Sequence, residues 1–112
     1  MKNSQSLKKD ADFQMIYKEG KSFANKFLIM YVKENDLGFN RIGISVSKKV
    51  GNSVVRHRLK RLILESYRLH EDIFNSSLDM VIIARITAKD KNYYDMESAV
   101  LHLGKLHGIV GN

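Results

Sequence analysis

The residues of this chain best placed to do chemistry are cations. Lys48, Lys49, Arg56, Arg58, Lys60, Arg61 and Arg68 fall within one stretch, Arg41–His70, which reads RIGISVSKKVGNSVVRHRLKRLILESYRLH. With Arg41 they make eight basic residues against a single acidic one, Glu65, so the stretch carries the same net charge, +7, as the whole 112-residue protein. Positive charge concentrated in this way neutralises phosphates and is the electrostatic footprint of a nucleic-acid partner. Bond-breaking groups are harder to find. His57, His70, His102 and His107 are scattered, and none stands in a spacing with a carboxylate that suggests proton transfer. His102 and His107 lie five apart, poor spacing for metal ligands on a helix, and read as helix-surface residues. The carboxylates are not clustered as a Mg²⁺ site needs, and Ser45, Ser47 and Ser53 lack an evident base. The chain contains no cysteine, which excludes disulfides and thiolate metal sites. The expectation is an RNA- or DNA-binding protein with no catalytic residue and no metal ligand of its own.

The elements that position the cations are legible. Ile42, Ile44 and Val46 alternate with Gly43, Ser45 and Ser47, the period-two pattern of a half-buried strand. The small residues leave a face that another group can approach closely. Lys48–Ser53 breaks the pattern with Gly51 and Asn52, and Asn52 or Ser53 suits a helix N-cap. From there to about Leu69 the period is helical. Val55, Leu59, Leu62, Ile63, Ser66 and Leu69 gather on one side, and Arg56 and Lys60 lie one turn apart on the opposite flank. His57, Arg61 and Arg68 lie further round, and Arg58 falls near the edge of the apolar side. Glu65 alone cannot pair five basic residues on this helix, so internal salt bridges do not account for them.

Elsewhere, residues 1–8 are polar and read as a flexible tail. Asp10 suits the N-cap of a short helix ending at Gly20, with Phe13, Ile16 and Tyr17 on one stripe. Phe27–Lys33 alternates as a strand. A Gly-containing turn at 34–38 then suggests an antiparallel pair with the strand beginning near Arg41. Met80–Ile86 is a buried strand by its continuous apolar run, and Arg85 reads as a strand-end charge. Thr87–Asp90 has capping-box spacing. Asp95 is a candidate cap for a last helix burying Ala99, Val100, Leu103 and Leu106, with Gly104 weakening it by roughly 1 kcal/mol relative to Ala. The order helix, strand, strand, helix, strand, helix makes an α/β sandwich, an α+β domain with one mixed sheet.

At 44% hydrophobic and 28% charged residues the composition is that of one globular domain, 1–112. No apolar stretch near the N-terminus reads as a secretory signal, and the longest apolar run, Phe27–Val32, is too short to span a bilayer. A soluble, cytoplasmic protein without a membrane partner is expected.

The segment SVSKKVGNSVVRHRLKRLI resembles the signature of the bacterial ribonuclease P protein family, in which a strand, a Lys-Lys-Val-Gly-Asn turn and an Arg-Asn-Arg helix follow one another. The resemblance extends to LKKDADFQMIYKEGKSFAN, FLIMYV, DMVIIAR and LHLGKL. It implies a mixed, four-stranded-type sheet with a left-handed βαβ crossover, although the general rule is right-handed. It also implies an accessory subunit of a ribozyme that removes the 5′ leader from precursor tRNA, an endonucleolytic hydrolysis. The Mg²⁺ ions would be held by the partner RNA, and the protein would lower the concentration required. The implied partners are the catalytic RNA and the precursor leader, with no DNA. Lys48, Lys49, Arg56, His57, Arg58, Lys60, Arg61 and Arg68 would contact RNA. Phe13, Tyr17, Tyr31, Ser45 and Ser47, with Lys48 beside them, would line a leader cleft in which bases stack on rings. Two positions depart from the family pattern. His57 stands where Asn is usual, and Leu64 where an arginine is usual, which places an apolar group on the basic face.

Three other readings compete. A stand-alone RNA-binding module would share the basic helix. A DNA-binding helix-turn-helix protein would need a helix before the basic one, where this chain has a strand and turn. A protein-only nuclease would need a cluster of carboxylates or histidines.

Overall fold

The computed structural model describes residues 1–111. Five strands and three α-helices follow in the order β1 (Ser4–Ser6), α1 (Asp10–Glu19), β2 (Lys21–Ala24), β3 (Leu28–Glu34), β4 (Asn40–Ser45), α2 (Ser53–Leu69), β5 (Leu78–Ala84) and α3 (Tyr93–His107), with short 3₁₀ turns at Glu71–Ile73 and Ile86–Ala88. The strands form one mixed sheet in the order β1-β4-β5-β3-β2. β4 runs parallel to β1 and β5, whereas β3 runs antiparallel to β5 and β2. The α+β class and single mixed sheet expected from sequence are therefore present, with five strands.

The sheet has two unequal faces. Leu28, Met30 and Val32 of β3, Ile42 of β4, and Met80 and Ile82 of β5 point to one face. There they meet Leu59, Ile63 and Tyr67 of α2 and Met96, Val100 and Leu103 of α3 in the main core. Each fully buried Leu or Ile contributes roughly 1.5–3 kcal/mol. On the opposite face α1 lays Ile16 on Val81 and Leu7, with Phe13, Tyr17, Tyr31 and Ile83 packed around them. That second cluster is small, and much of it is only half-buried.

Several boundaries differ from the sequence expectation, each for a non-local reason. β3 and β4 do not pair; β5 inserts between them, Met30 opposite Ile82 and Ile42 opposite Met80. The tail read as flexible is a strand: Ser4–Ser6 pairs with Asn40–Ile42. The Glu71 carboxylate accepts from the backbone N–H of Lys2 (2.9 Å) and Asn3 (3.1 Å) and from Ser4 Oγ. β5 begins at Leu78 because Asp79 is anchored there, and Ile86, expected in the strand, is 62% exposed. In α3, Leu106 is exposed, not buried.

Caps also shift. α1 starts at Asp10 with Lys9 as N-cap and no side-chain cap. Asn52 caps α2 by accepting from Val55 N–H. Asn92 caps α3 in a reciprocal capping box with Asp95, which is therefore the third helical residue and not the cap. In place of the expected cap at 87–90, Ile86–Ala88 forms a 3₁₀ turn with no side-chain cap, and residues 89–90 continue as a plain turn. Gly104 is buried, and a Cβ there would lie 2.7 Å from Val110 Cγ1; close packing of the C-terminus requires it. His107, expected on the surface, bonds through Nε2 to the Met30 carbonyl (2.8 Å) and packs edge-on against Phe23. Burial pushes its pKa down.

Candidate nucleic-acid interface

The sheet face under α1 continues into an open groove where α1 crosses β4 with Phe13 set on Gly43. A Cβ on Gly43 would lie 2.5 Å from Phe13 Cζ, so the Phe13 ring sits directly on the glycine backbone. From this contact two hollows extend. One lies along α1 and is lined by Asp10, Phe13, Gln14, Tyr17, Ile44, Ser45, Val46 and Lys60, with a volume of about 400 Å³. The other lies toward α2 and is lined by Ser6, Leu7, Phe13, Ile42, Gly43, Ile44, His57, Lys60, Arg61 and Leu64, with a volume of about 370 Å³. Phe13, Ile44 and Lys60 belong to both.

The aromatic residues form a connected set. Tyr17 packs 5.1 Å from Tyr31 with the rings edge to face, and Phe13 lies 6.4 Å from Tyr17. Burial raises the Tyr17 pKa; a hydrogen bond with Ser45 acts the other way. Tyr17 therefore stays a neutral ring, beside Ser45 of β4. The structure brings Phe13, Tyr17 and Ser45 into one groove and places Tyr31 behind Tyr17. Ser47 is exposed in the loop after β4 and lines neither hollow.

The cations divide by partner. Arg58 Nη2 donates to the Lys91 carbonyl at 2.6 Å, tying α2 to the segment before α3. Arg68 pairs with Glu65 one turn away, which holds the Glu65 carboxyl below its usual range. Arg85 Nη1 donates to the Asn25 carbonyl (2.6 Å), as a strand-end charge should. The side chains of Lys48, Lys49, Arg56, Lys60 and Arg61 make no hydrogen bond or ion pair among the described residues; Arg56 Nε is shielded from solvent without an acceptor. Lys48, Lys49, Lys60 and Arg61 are exposed, as is His57.

A clamp that sequence reasoning missed holds α1 against β4. Arg41 Nε and Nη2 donate to the two carboxylate oxygens of Asp79 (2.8 and 2.7 Å), and Nη1 lies 3.6 Å from Asp12, the residue before Phe13. Asp79 is 2% exposed and also accepts from Asn35 Nδ2 at 2.9 Å. Burial alone would raise its pKa, but the Arg41 and Asn35 hydrogen bonds hold it below the ordinary aspartate value. Arg41 and Asp79 are direct cross-strand partners, a pairing invisible until β5 is placed beside β4. Ser6 and Leu7 were missed as groove walls because the tail was read as loose. Leu64 turns toward the groove instead of standing alone on the basic face.

Among the described residues there is no group of three or more His, Cys, Asp or Glu side chains able to hold a metal ion, and no helix is long and apolar enough to cross a membrane. What the site offers is a cationic helix beside an aromatic groove floored by small residues.

The chain was compared with known proteins. The sequence model of the family described as Ribonuclease P matches residues 1–106. A ribonuclease P protein component from Lachnoclostridium phytofermentans is 62% identical over 109 residues, covering 97% of this chain and 94% of the relative. The solved structure of the Staphylococcus aureus RNase P protein superposes with a TM-score of 0.88 at 38% identity, over 95% of this chain and 97% of that one. The RNase P protein from Thermotoga maritima superposes with a TM-score of 0.82 at 28% identity, over 89% and 96%. With a family match over almost its whole length, and a fold shared with solved members, the chain belongs to the ribonuclease P protein family.

Proposed function

We propose that this protein is the RNA-binding subunit of a bacterial ribonuclease P, acting in the cytoplasm to assist a catalytic RNA in endonucleolytic removal of the 5′ leader from precursor tRNA. The observation that carries this reading is the juxtaposition of unpartnered cations on α2 and its preceding turn with the Phe13–Tyr17 groove. Lys48, Lys49, Arg56, Lys60 and Arg61 neutralise phosphates of the catalytic RNA and the adjacent leader. Each neutralised phosphate releases counterions and makes binding salt-dependent. His57 donates a hydrogen bond at the same rim. Arg58 and Arg68 contribute charge from side chains already held by the fold.

The groove receives leader nucleotides. Rings of Phe13 and Tyr17 offer stacking surfaces that accept any base, as a sequence-variable leader requires. Tyr31 packs edge-on against Tyr17, and Ser45 lies beside it in the groove. Hydrolysis of the phosphodiester belongs to Mg²⁺ ions that the partner RNA holds when bound. The protein's part is to lower repulsion between RNA strands, so that less Mg²⁺ suffices.

Cleavage of precursor tRNA by a cognate ribonuclease P RNA at low Mg²⁺, with and without the protein, tests this reading. The expected result is protein-dependent cleavage at the mature 5′ end and none by protein alone. No stimulation would leave a stand-alone RNA-binding module.

A further inference from the structure

We propose that the hollow between α1, β4 and α2 is a socket for one unpaired base of the catalytic RNA, with Leu64 as a wall. The inference rests on the subunit reading above and adds a ligand to a site that phosphate neutralisation alone leaves unexplained.

The chemistry of the hollow is divided. Its interior is apolar, built from Leu7, Phe13, Ile42, Ile44 and Leu64, with the Gly43 backbone beneath. Its rim toward α2 carries His57, Lys60 and Arg61, and no acidic residue lines it. A phosphate would be satisfied by the rim and gain nothing from the interior. An apolar peptide side chain would use the interior but would bring no charge for the rim. A nucleotide uses both, with its base against the aliphatic and aromatic walls and its phosphate on Lys60 or Arg61. The volume, about 370 Å³, lies within the roughly 300–1,000 Å³ of sites that enclose small ligands.

Leu64 fits this role. An arginine at this position, as in the family pattern, would add a phosphate contact; leucine instead extends the apolar wall. The source of the base follows from the wall that carries the charge. The charged part of the rim belongs entirely to α2, the helix whose free cations face the catalytic RNA as well as the adjacent leader. The leader lies on the other side of Phe13, against Tyr17 and Ser45. The Phe13 ring is then a partition with the two RNAs on its two sides, and Lys60 serves both hollows.

The test is chemical probing of a cognate catalytic RNA, reading base reactivity and backbone protection separately, with the wild-type protein and with Leu64→Asn, Leu64→Met and Leu64→Arg. Wild type and Leu64→Met should protect one unpaired base in the absence of precursor tRNA. Leu64→Asn should leave that base reactive and weaken binding roughly 5- to 10-fold, the scale of uncovering about half of one leucine side chain. Its salt slope should be unchanged, because no phosphate contact is lost. Leu64→Arg, which keeps the helix-forming character should the Asn variant fail to fold, should also expose the base while steepening the slope by about 0.7–0.9. Identical base protection in all four proteins would overturn the socket. So would protection that appears only with a leader-bearing precursor, which would assign the base to the leader. Absence of any backbone protection by the wild type would overturn the subunit reading itself.

Discussion

Arg41, Arg58, Arg68 and Arg85 each close on an acceptor within the chain, whereas Lys48, Lys49, Arg56, Lys60 and Arg61 have none among the described residues. In sequence the two sets are interleaved: Arg58 stands two residues after Arg56 and two before Lys60. What separates them is which element each side chain meets. Arg58 leans toward α3 and finds a carbonyl, and Arg41 finds Asp79 because β5 lies beside β4. The free set projects from α2 and its preceding turn, where all but the half-buried Arg56 are exposed. Charge density therefore locates the interface only coarsely, and a partner-by-partner account is needed to say which cations serve stability and which serve RNA.

Removing the best-held member of the first set should produce the largest effect. Asp79→Ala leaves Arg41 without its bidentate partner beside a nearly buried position. Breaking such a pair costs about 2–3 kcal/mol, allowing for the partial exposure of Arg41; urea unfolding reads it. The same pair gives a pH dependence of fixed sign. The folded-state pKa of Asp79 is depressed, so its stabilisation is fully present above the unfolded-state aspartate value, about 3.9, and is lost as pH falls through the folded value. Wild type should lose stability below pH 4 more steeply than Asp79→Asn.

Gly43→Ala tests the seat of Phe13 without touching a charge. The added methyl would displace the ring, and the expected result is a loss of about 1–2 kcal/mol in stability. Weaker binding of both the leader-bearing precursor and the catalytic RNA should accompany it, since the Phe13 ring belongs to both hollows. In the groove itself Tyr17→Ala should weaken precursor binding by about 1 kcal/mol or more. Tyr31→Ala should weaken it less, since that ring acts through Tyr17. Mature tRNA should show neither loss. Equal losses for mature tRNA would remove these tyrosines from leader binding.

Much of this arrangement was legible in the sequence. The alternation at 42–47, the Asn52 cap and the helical period to Leu69 are local signals, and each corresponds to an observed element. The stripe of Phe13, Ile16 and Tyr17 marked the face of α1 that meets the sheet. What was hidden depended on contacts distant in the chain. A short Gly-containing turn suggested that β3 and β4 pair, but the apolar run of β5 is covered on both faces and takes the central place between them. The first residues looked unstructured because their partners are Glu71, Tyr67 and β4. Leu64 seemed isolated on a charged face because the helical wheel does not show α1 and β1 arriving from that side.

The most direct measurement of the distinction between free and held cations is the salt dependence of affinity for the catalytic RNA. Arg56→Ala combined with Lys60→Ala should flatten the log–log slope by roughly 0.7–0.9 for each contact, with little change in stability. Arg85→Ala should leave the slope nearly unchanged, because that guanidinium is held by Asn25. Equal flattening by both proteins, or none by the double variant, would contradict the division of the cations into two sets.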